Sequence, residues 1–267
     1  VVAKGRNRVL LKEVSGQVVG GFWAVMGPSG SGKSTLLNTL ALRMDRGVTI
    51  SGDMRLNGRP YTNAELKLMS GYVMQDDLLN ANLTCEETLL YTAKLRCPQD
   101  ATDADRQQRV DAALKQMGLE HARHTIVGSP LKKGVSGGER KRLCVALELL
   151  TEPRLLFLDE PTSGLDSVTA LSLCMSLKAL TVRCTVICTI HQPQSKIFNL
   201  FDNLILLKAG AIVYQGPTDQ ALAFFEANGF PCPALTNPAD HLLDSMAADI
   251  NDSTHSIMVR RLRRLRR

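Results

Sequence analysis

The run Gly27-Pro28-Ser29-Gly30-Ser31-Gly32-Lys33-Ser34 constrains this chain more than any other feature. It fits the glycine-rich phosphate-loop pattern, which carries meaning only between a strand and a helix. Both flanks are present: residues 21–26 are largely apolar, and Thr35 continues a helix-forming stretch that covers 33–42. The glycines let the backbone curl so that its N–H groups and the helix start converge on phosphate. Lys33 adds a full positive charge, and Ser34 offers a hydroxyl to magnesium. Residues 27–34 with Thr35 are therefore candidate ATP contacts, and Lys33 is also a candidate catalytic residue. The plainer reading of the same run is a Gly/Ser-rich turn that caps a helix.

Apolar runs bounded by turn residues place strands at 21–26, Leu155–Leu158, 182–190 and 204–207, the middle two as buried parallel ones. Helices are expected over 33–42, 105–117 and 137–150, the second behind a Thr102/Asp103 start signal. Strands alternating with helices argue an α/β layered fold. Asn57 with Gly58, and Lys208-Ala209-Gly210, each separate short β-like runs and read as hairpin turns. From about 84 to 150 no convincing strand is visible, which suggests a helical subdomain inserted into the core. The expectation is one domain over 1–267: a P-loop NTPase core with a mainly parallel sheet, an antiparallel β part and that helical insertion. Its 267 residues, 44% of them hydrophobic, suffice for such a core.

The seven cysteines are scattered and form no Cys-x-x-Cys pair, so they read as reduced thiols. No stretch reaches the roughly 18 to 20 apolar residues of a membrane-spanning helix, and the first 30 residues lack the order of a signal peptide. The net charge of +6 is matched by six arginines between 260 and 267, leaving a neutral body and a basic tail over 251–267. In that tail Val259, Leu262 and Leu265 recur every third residue, as in a basic amphipathic helix on a membrane surface; a solvated charge run is the other reading.

Leu155-Leu156-Phe157-Leu158-Asp159-Glu160 puts two carboxylates at the end of a buried strand, where open α/β sheets bind ligands. Asp159 would hold magnesium, and Glu160 would orient and polarise the attacking water as a catalytic residue. Without a phosphate loop upstream, such a pair is an ordinary solvated loop. His191 ends the apolar run 182–190 and could donate to the γ-phosphate or to the water while staying neutral. Val135-Ser136-Gly137-Gly138-Glu139-Arg140 opens another helix, with Ser136 as N-cap and the two glycines admitting a phosphate. By composition alone it is equally a plain helix start. One chain would thus carry two phosphate-binding helix starts and one lysine-bearing loop, which a two-fold dimer sharing each ATP explains economically.

Taken in order, these motifs resemble ABC ATPases along the whole chain: 27–35, Gln75 within Gly71-Tyr72-Val73-Met74-Gln75-Asp76-Asp77, Ser136 to Glu139, Asp159-Glu160, Ser163-Gly164-Leu165-Asp166, and His191. The resemblance implies a Walker A loop, a Q-loop glutamine on magnesium, a signature motif, Walker B, a D-loop and an H-loop histidine. Metal ligands would then be Ser34, Gln75 and Asp159. Gln75, Ser136, Gly137, Gly138, Glu139, Asp166 and His191 would join the ATP contacts. Glu139 followed by Arg140-Lys141-Arg142, Ile190-His191-Gln192-Pro193, residues 228–233, and Asn237-Pro238-Ala239-Asp240 look like the G subfamily.

That subfamily implies a half-transporter that pairs head-to-tail with a second subunit and uses ATP and magnesium. It would export a lipid, sterol or other hydrophobic compound from the cytoplasmic face of a membrane. Its own membrane domain would lie beyond Arg267, and no nucleic-acid partner is expected. The family usually stacks an aromatic ring on adenine before Walker A, yet residues 1–21 contain no Phe, Tyr or Trp, and Phe22 and Trp23 read as core. Other readings are a soluble ATPase acting on ribosomes or DNA, against which the neutral body speaks, and a low-activity regulatory half, against which the intact Glu160 and His191 speak.

Overall fold

The computed structural model describes residues 1–3, 8–44, 47–129 and 131–248; the basic tail expected at 251–267 lies outside them. In chain order its elements are β1 (Val2–Ala3), β2 (Arg8–Val9), β3 (Phe22–Met26), α1 (Lys33–Leu40), β4 (Val48–Thr49), β5 (Arg55–Leu56), β6 (Arg59–Pro60), α2 (Asn63–Met69), β7 (Ser70–Val73), α3 (Cys85–Arg96), α4 (Asp103–Gln116), α5 (Gly137–Leu149), β8 (Leu155–Leu158), α6 (Ser167–Leu180), β9 (Thr185–Thr189), α7 (Ser195–Phe198), β10 (Asn203–Lys208), β11 (Ala211–Pro217), α8 (Ala221–Ala227) and α9 (Pro238–Ala248). Two compact units result: Val1–Tyr61 with Ile187–Arg267, and Thr62–Val186. The second is wider than the helical stretch expected at about 84–150, because it holds the strands β7 and β8 as well as helices.

In the first unit β10 lies between β3, parallel to it from Asn203↔Trp23 to Leu206↔Met26, and β11, antiparallel to it. All five residues of β3 are buried, as are Leu204 to Leu207 of β10, which is why both read as unbroken apolar runs. The Asp202 carboxylate caps the entry to β3 by accepting the Phe22 N–H at 2.8 Å, and Phe201 packs its ring 4.6 Å from that of Phe22. Phe22 and Trp23 are core residues, as expected from the sequence. The turn residues Asn57 (φ 50°) and Gly58 (φ 80°) close the β5–β6 hairpin, and Ala209 (φ 48°) and Gly210 (φ 80°) close β10–β11, the left-handed pairs that tight hairpins need.

In the second unit β7 and β8 run parallel from Ser70↔Leu155 to Val73↔Leu158. Four helices begin with the same reciprocal cap: Thr62/Glu65, Thr84/Glu87, Thr102/Asp105 and Ser136/Glu139. In each, the hydroxyl takes the N–H three residues on while the acid takes the cap's own N–H, which satisfies two orphan donors at once. Leu89, Val110, Leu114 and Leu143 close the core between α3, α4 and α5. Arg96 grips Glu148 with both ends of its guanidinium, at 2.8 and 2.9 Å.

The structure shortens some expected elements. The strand read over 182–190 is Thr185–Thr189, because Arg183 and Cys184 donate to Leu180 O and belong to the turn that follows α6, with Val182 exposed. The helix read over 33–42 stops at Leu40, where Leu42 turns to φ 52°. None of the seven cysteines forms a disulfide among the described residues.

Candidate functional site

In the first unit β3 ends at Met26 and the chain turns through 27–32 into α1. Gly27 (φ 155°), Gly30 (φ 73°) and Gly32 (φ 102°) supply the backbone angles. At Gly27 a Cβ would stand 2.2 Å from the Leu207 carbonyl oxygen, so the loop lies against the end of β10 and admits only glycine there. Gly210, in the β10–β11 turn, donates its N–H to Ser31 O at 2.9 Å and braces the loop from below. Lys33 is 6% exposed and folds its ammonium back onto the carbonyls of Gly27 (3.0 Å) and Pro28 (3.3 Å). The loop also holds a buried hydroxyl, Ser31 Oγ, with no hydrogen-bond partner among the described residues. An unmet donor, a cation held by neutral carbonyls and the N-terminus of an eight-residue helix together suit an incoming phosphate.

His191 follows Ile190, whose N–H bonds Val25 O at 3.1 Å, so it leaves the same end of β3 as the phosphate loop and is exposed there. A residue the sequence did not single out for the site fixes this turn. Asn237, capping α9, donates to Pro193 O at 3.1 Å and accepts from Ser195 Oγ at 3.1 Å. Gln192, between His191 and Pro193, is held at φ 42°. Asn237 before Pro238 is the signal that could have marked a helix start here; its partner 44 residues earlier in the chain leaves no such trace.

In the second unit the parallel pair β7–β8 delivers Gln75 and the two carboxylates to one edge. Asp159 extends the ladder by donating to Val73 O at 3.0 Å, and Gln75 Nε2 donates to Glu160 Oε2 at 3.0 Å. Glu160 sits at φ 46°, a left-handed angle that costs a side-chain-bearing residue on the order of 1–3 kcal/mol and recurs at functional sites.

Ser136 caps α5, but its hydroxyl and N–H both meet the Glu139 carboxylate at 2.7 Å. Those bonds, from the Ser136 N–H first, hold Glu139 below the usual glutamate range, with His121 Nε2 2.7 Å away on its other oxygen. Glu139, expected as an ATP contact, is thus occupied inside the cap. The two signature glycines also divide their work. A Cβ at Gly137 would meet only Leu165 Cδ2, at 3.8 Å, whereas one at Gly138 would stand 2.1 Å from Thr169 Cγ2, so the packing of α5 on α6 needs glycine at 138. Asp166 spends its carboxylate on the N–H groups of Val168 (3.0 Å) and Thr169 (3.1 Å), and hydrogen bonding from Thr169 lowers its pKa.

A family model described as ABC transporter matches residues 11–163, and a second, described as ABC-2 type transporter, matches 191–262. The chain is 44% identical over 262 residues to ABC transporter G family member 1 of Petunia hybrida, covering 97% of this chain and 41% of that protein. It is 41% identical over 263 residues to the broad substrate specificity ATP-binding cassette transporter ABCG2 of Mus musculus, covering 98% of this chain and 39% of that protein. Among solved structures, cbiO1 of Clostridium perfringens, part of the cbiONQ ABC transporter complex, matches with a TM-score of 0.68 and 26% identity, over 82% of this chain and 86% of that one. A dimeric post-hydrolysis ATP-binding cassette bound to ADP and Pi matches with a TM-score of 0.65 and 26% identity, over 81% and 96%.

Fold and site together define an α/β P-loop ATPase domain with a mainly parallel sheet, of the ATP-binding-cassette type. The chain belongs to the ABC transporter family, in its G subfamily. It spans 41% and 39% of the length of the two relatives named. The ABC-2 match covers residues 191–262, inside the chain, whereas the resemblance implies a membrane domain beyond Arg267. The described part of that match folds into β10, β11 and short helices, and no described helix is long and apolar enough to cross a membrane.

Proposed function

We propose that this domain binds ATP with the 27–35 loop and hydrolyses it with Glu160 as general base. We further propose that paired copies, or this chain with a related subunit, use the cycle to export a hydrophobic compound such as a lipid or sterol. The observation that carries the reading is the Gln75–Glu160 bond at the end of paired parallel strands, with Glu160 in a strained backbone. A carboxylate held this way is aimed before the substrate arrives, which is what general-base catalysis needs.

In the proposed reaction Lys33, Ser29 to Gly32 and the α1 start bind the phosphates. Glu160 takes a proton from water as its oxygen bonds the γ-phosphorus, and the bond to the β–γ bridging oxygen breaks with its electron pair leaving on ADP. His191 donates to a γ-phosphate oxygen. Magnesium prefers oxygen ligands, and the Ser34 hydroxyl, the Gln75 amide oxygen and the Asp159 carboxylate are the groups that would hold it. When bound, it neutralises charge on the β- and γ-phosphates. The Ser136 cap would grip the γ-phosphate in the partner's site, so ATP would join two chains and hydrolysis would release them; Asp166 and Gly137 would lie beside that interface. We place the domain on the cytoplasmic face of a membrane, working with a membrane domain.

Sizing the Glu160→Gln chain with and without magnesium ATP tests the shared site. A dimer that forms with ATP and disperses when ATP is removed is the expected result; a monomer at saturating ATP contradicts the shared site.

A further inference from the structure

Lys141 lies on α5, five residues past its Ser136 cap, and is only 7% exposed. An ammonium taken out of water is costly unless it is paired, so its partners reveal what it is for. One is Asp77 Oδ1 at 2.9 Å, a carboxylate itself only 15% exposed; the other is the backbone carbonyl oxygen of Gln75. Cys144, one turn further along α5, adds its thiol to the same Asp77 oxygen at 3.3 Å. The segment 75–77, which has no regular structure of its own, is thereby pinned to α5 at two points. Gln75 in turn carries Glu160 on its side chain.

Asp77 alone would neutralise the lysine. The second bond, to Gln75 O, does something the ion pair does not: it sets where the Gln75 backbone, and so its side-chain amide, can lie. We propose that Lys141 is a positioning residue for hydrolysis, placing Gln75 and through it Glu160, and tying the signature helix to the general base. The inference rests on the reading of Glu160 given above. A helix is a rigid rod over the five residues from Ser136 to Lys141, about 7.5 Å of rise. Whatever the cap at Ser136 binds therefore acts on a body that also holds Gln75.

The test is a kinetic cycle on the full chain: turnover at saturating magnesium ATP for wild type, Lys141→Met, Gln75→Ala and the double variant, with Glu160→Gln as reference. A geometric error in a catalytic group costs on the order of ten- to a hundredfold, so Lys141→Met should lower kcat by about tenfold. KM for ATP should stay within about twofold, since Lys141 touches no phosphate in this account. In the Gln75→Ala background the same change should cost less than about twofold, because the side chain it positions is gone. Equal losses in both backgrounds, or a loss confined to KM, would overturn the proposal. If Lys141→Met does not fold, Lys141→Gln, which shortens the side chain and removes its charge but keeps a polar end, takes its place in the cycle, with the same outcomes expected. The Glu160→Gln reference separates the two ideas: wild-type turnover there defeats the base assignment, whereas collapse there with an additive cycle defeats only the role of Lys141.

Discussion

Gln75 Nε2 donates to Glu160 Oε2 across 3.0 Å, joining the loop after β7 to the residue that ends the β8 edge. The bond fixes one oxygen of the Glu160 carboxylate. Gln75→Ala should therefore slow hydrolysis through kcat, by the roughly tenfold that one hydrogen bond of about 1–1.5 kcal/mol supplies. Steady-state turnover at saturating ATP measures it. A change in KM with kcat intact would mean that Gln75 serves binding alone.

Lys33→Met keeps the length of an apolar stem in a buried place but removes the charge. The charge-assisted bonds to phosphate are worth about 1.5–3 kcal/mol, so ATP affinity should fall roughly ten- to 150-fold, with the fold retained. Nucleotide titration with a circular-dichroism control reads both. Unchanged affinity in a folded variant would remove 27–34 from the phosphate site.

The signature glycines should behave differently under the same substitution. Gly138→Ala drives a methyl toward Thr169 Cγ2, 2.1 Å away, and overpacking of this kind costs about 1–3 kcal/mol. Gly137→Ala meets only Leu165 Cδ2 at 3.8 Å and should leave the denaturation midpoint nearly unchanged. Adding Thr169→Ser to Gly138→Ala removes that methyl while keeping the hydroxyl, and should restore most of the loss. Equal destabilisation at 137 and 138 would contradict the division of roles.

Glu139 has a folded-state pKa below its ordinary 4.5, caused first by the Ser136 N–H, then by the Ser136 hydroxyl, with His121 helping. A depressed acid stabilises the fold above its unfolded pKa, and that contribution is lost as pH falls through the folded value. Wild type should therefore lose more stability than Glu139→Gln as pH drops from 7 to below 4.5. Denaturation midpoints across that window provide the check; parallel curves would show that the cap does not depend on the charge.

What the sequence made legible is what local chemistry decides. β3, β8 and β10 were visible because buried strands read as unbroken apolar runs, and both hairpins because Asn57-Gly58 and Ala209-Gly210 tolerate left-handed angles. The start of α5 was visible in Ser136, whose cap needs a partner only three residues on. What stayed hidden depends on residues far apart in the chain. The packing of Gly138 on Thr169, the hold of Asn237 on Pro193, and the grip of Lys141 on the Gln75 loop leave no periodic or compositional trace. Nor did the spacing of Asp159 and Glu160 reveal that Glu160 would sit at φ 46°.

The central claim is that Glu160 removes the proton from the attacking water. Glu160→Gln keeps the size and a hydrogen-bonding partner for Gln75 but cannot act as a base. The most direct measurement is a single-turnover assay: enzyme in excess over γ-labelled ATP, with bound nucleotide and released phosphate followed together. ATP should bind with near wild-type affinity and phosphate should form roughly 10²- to 10⁴-fold more slowly. Phosphate formed at the wild-type rate by the Glu160→Gln chain would contradict it.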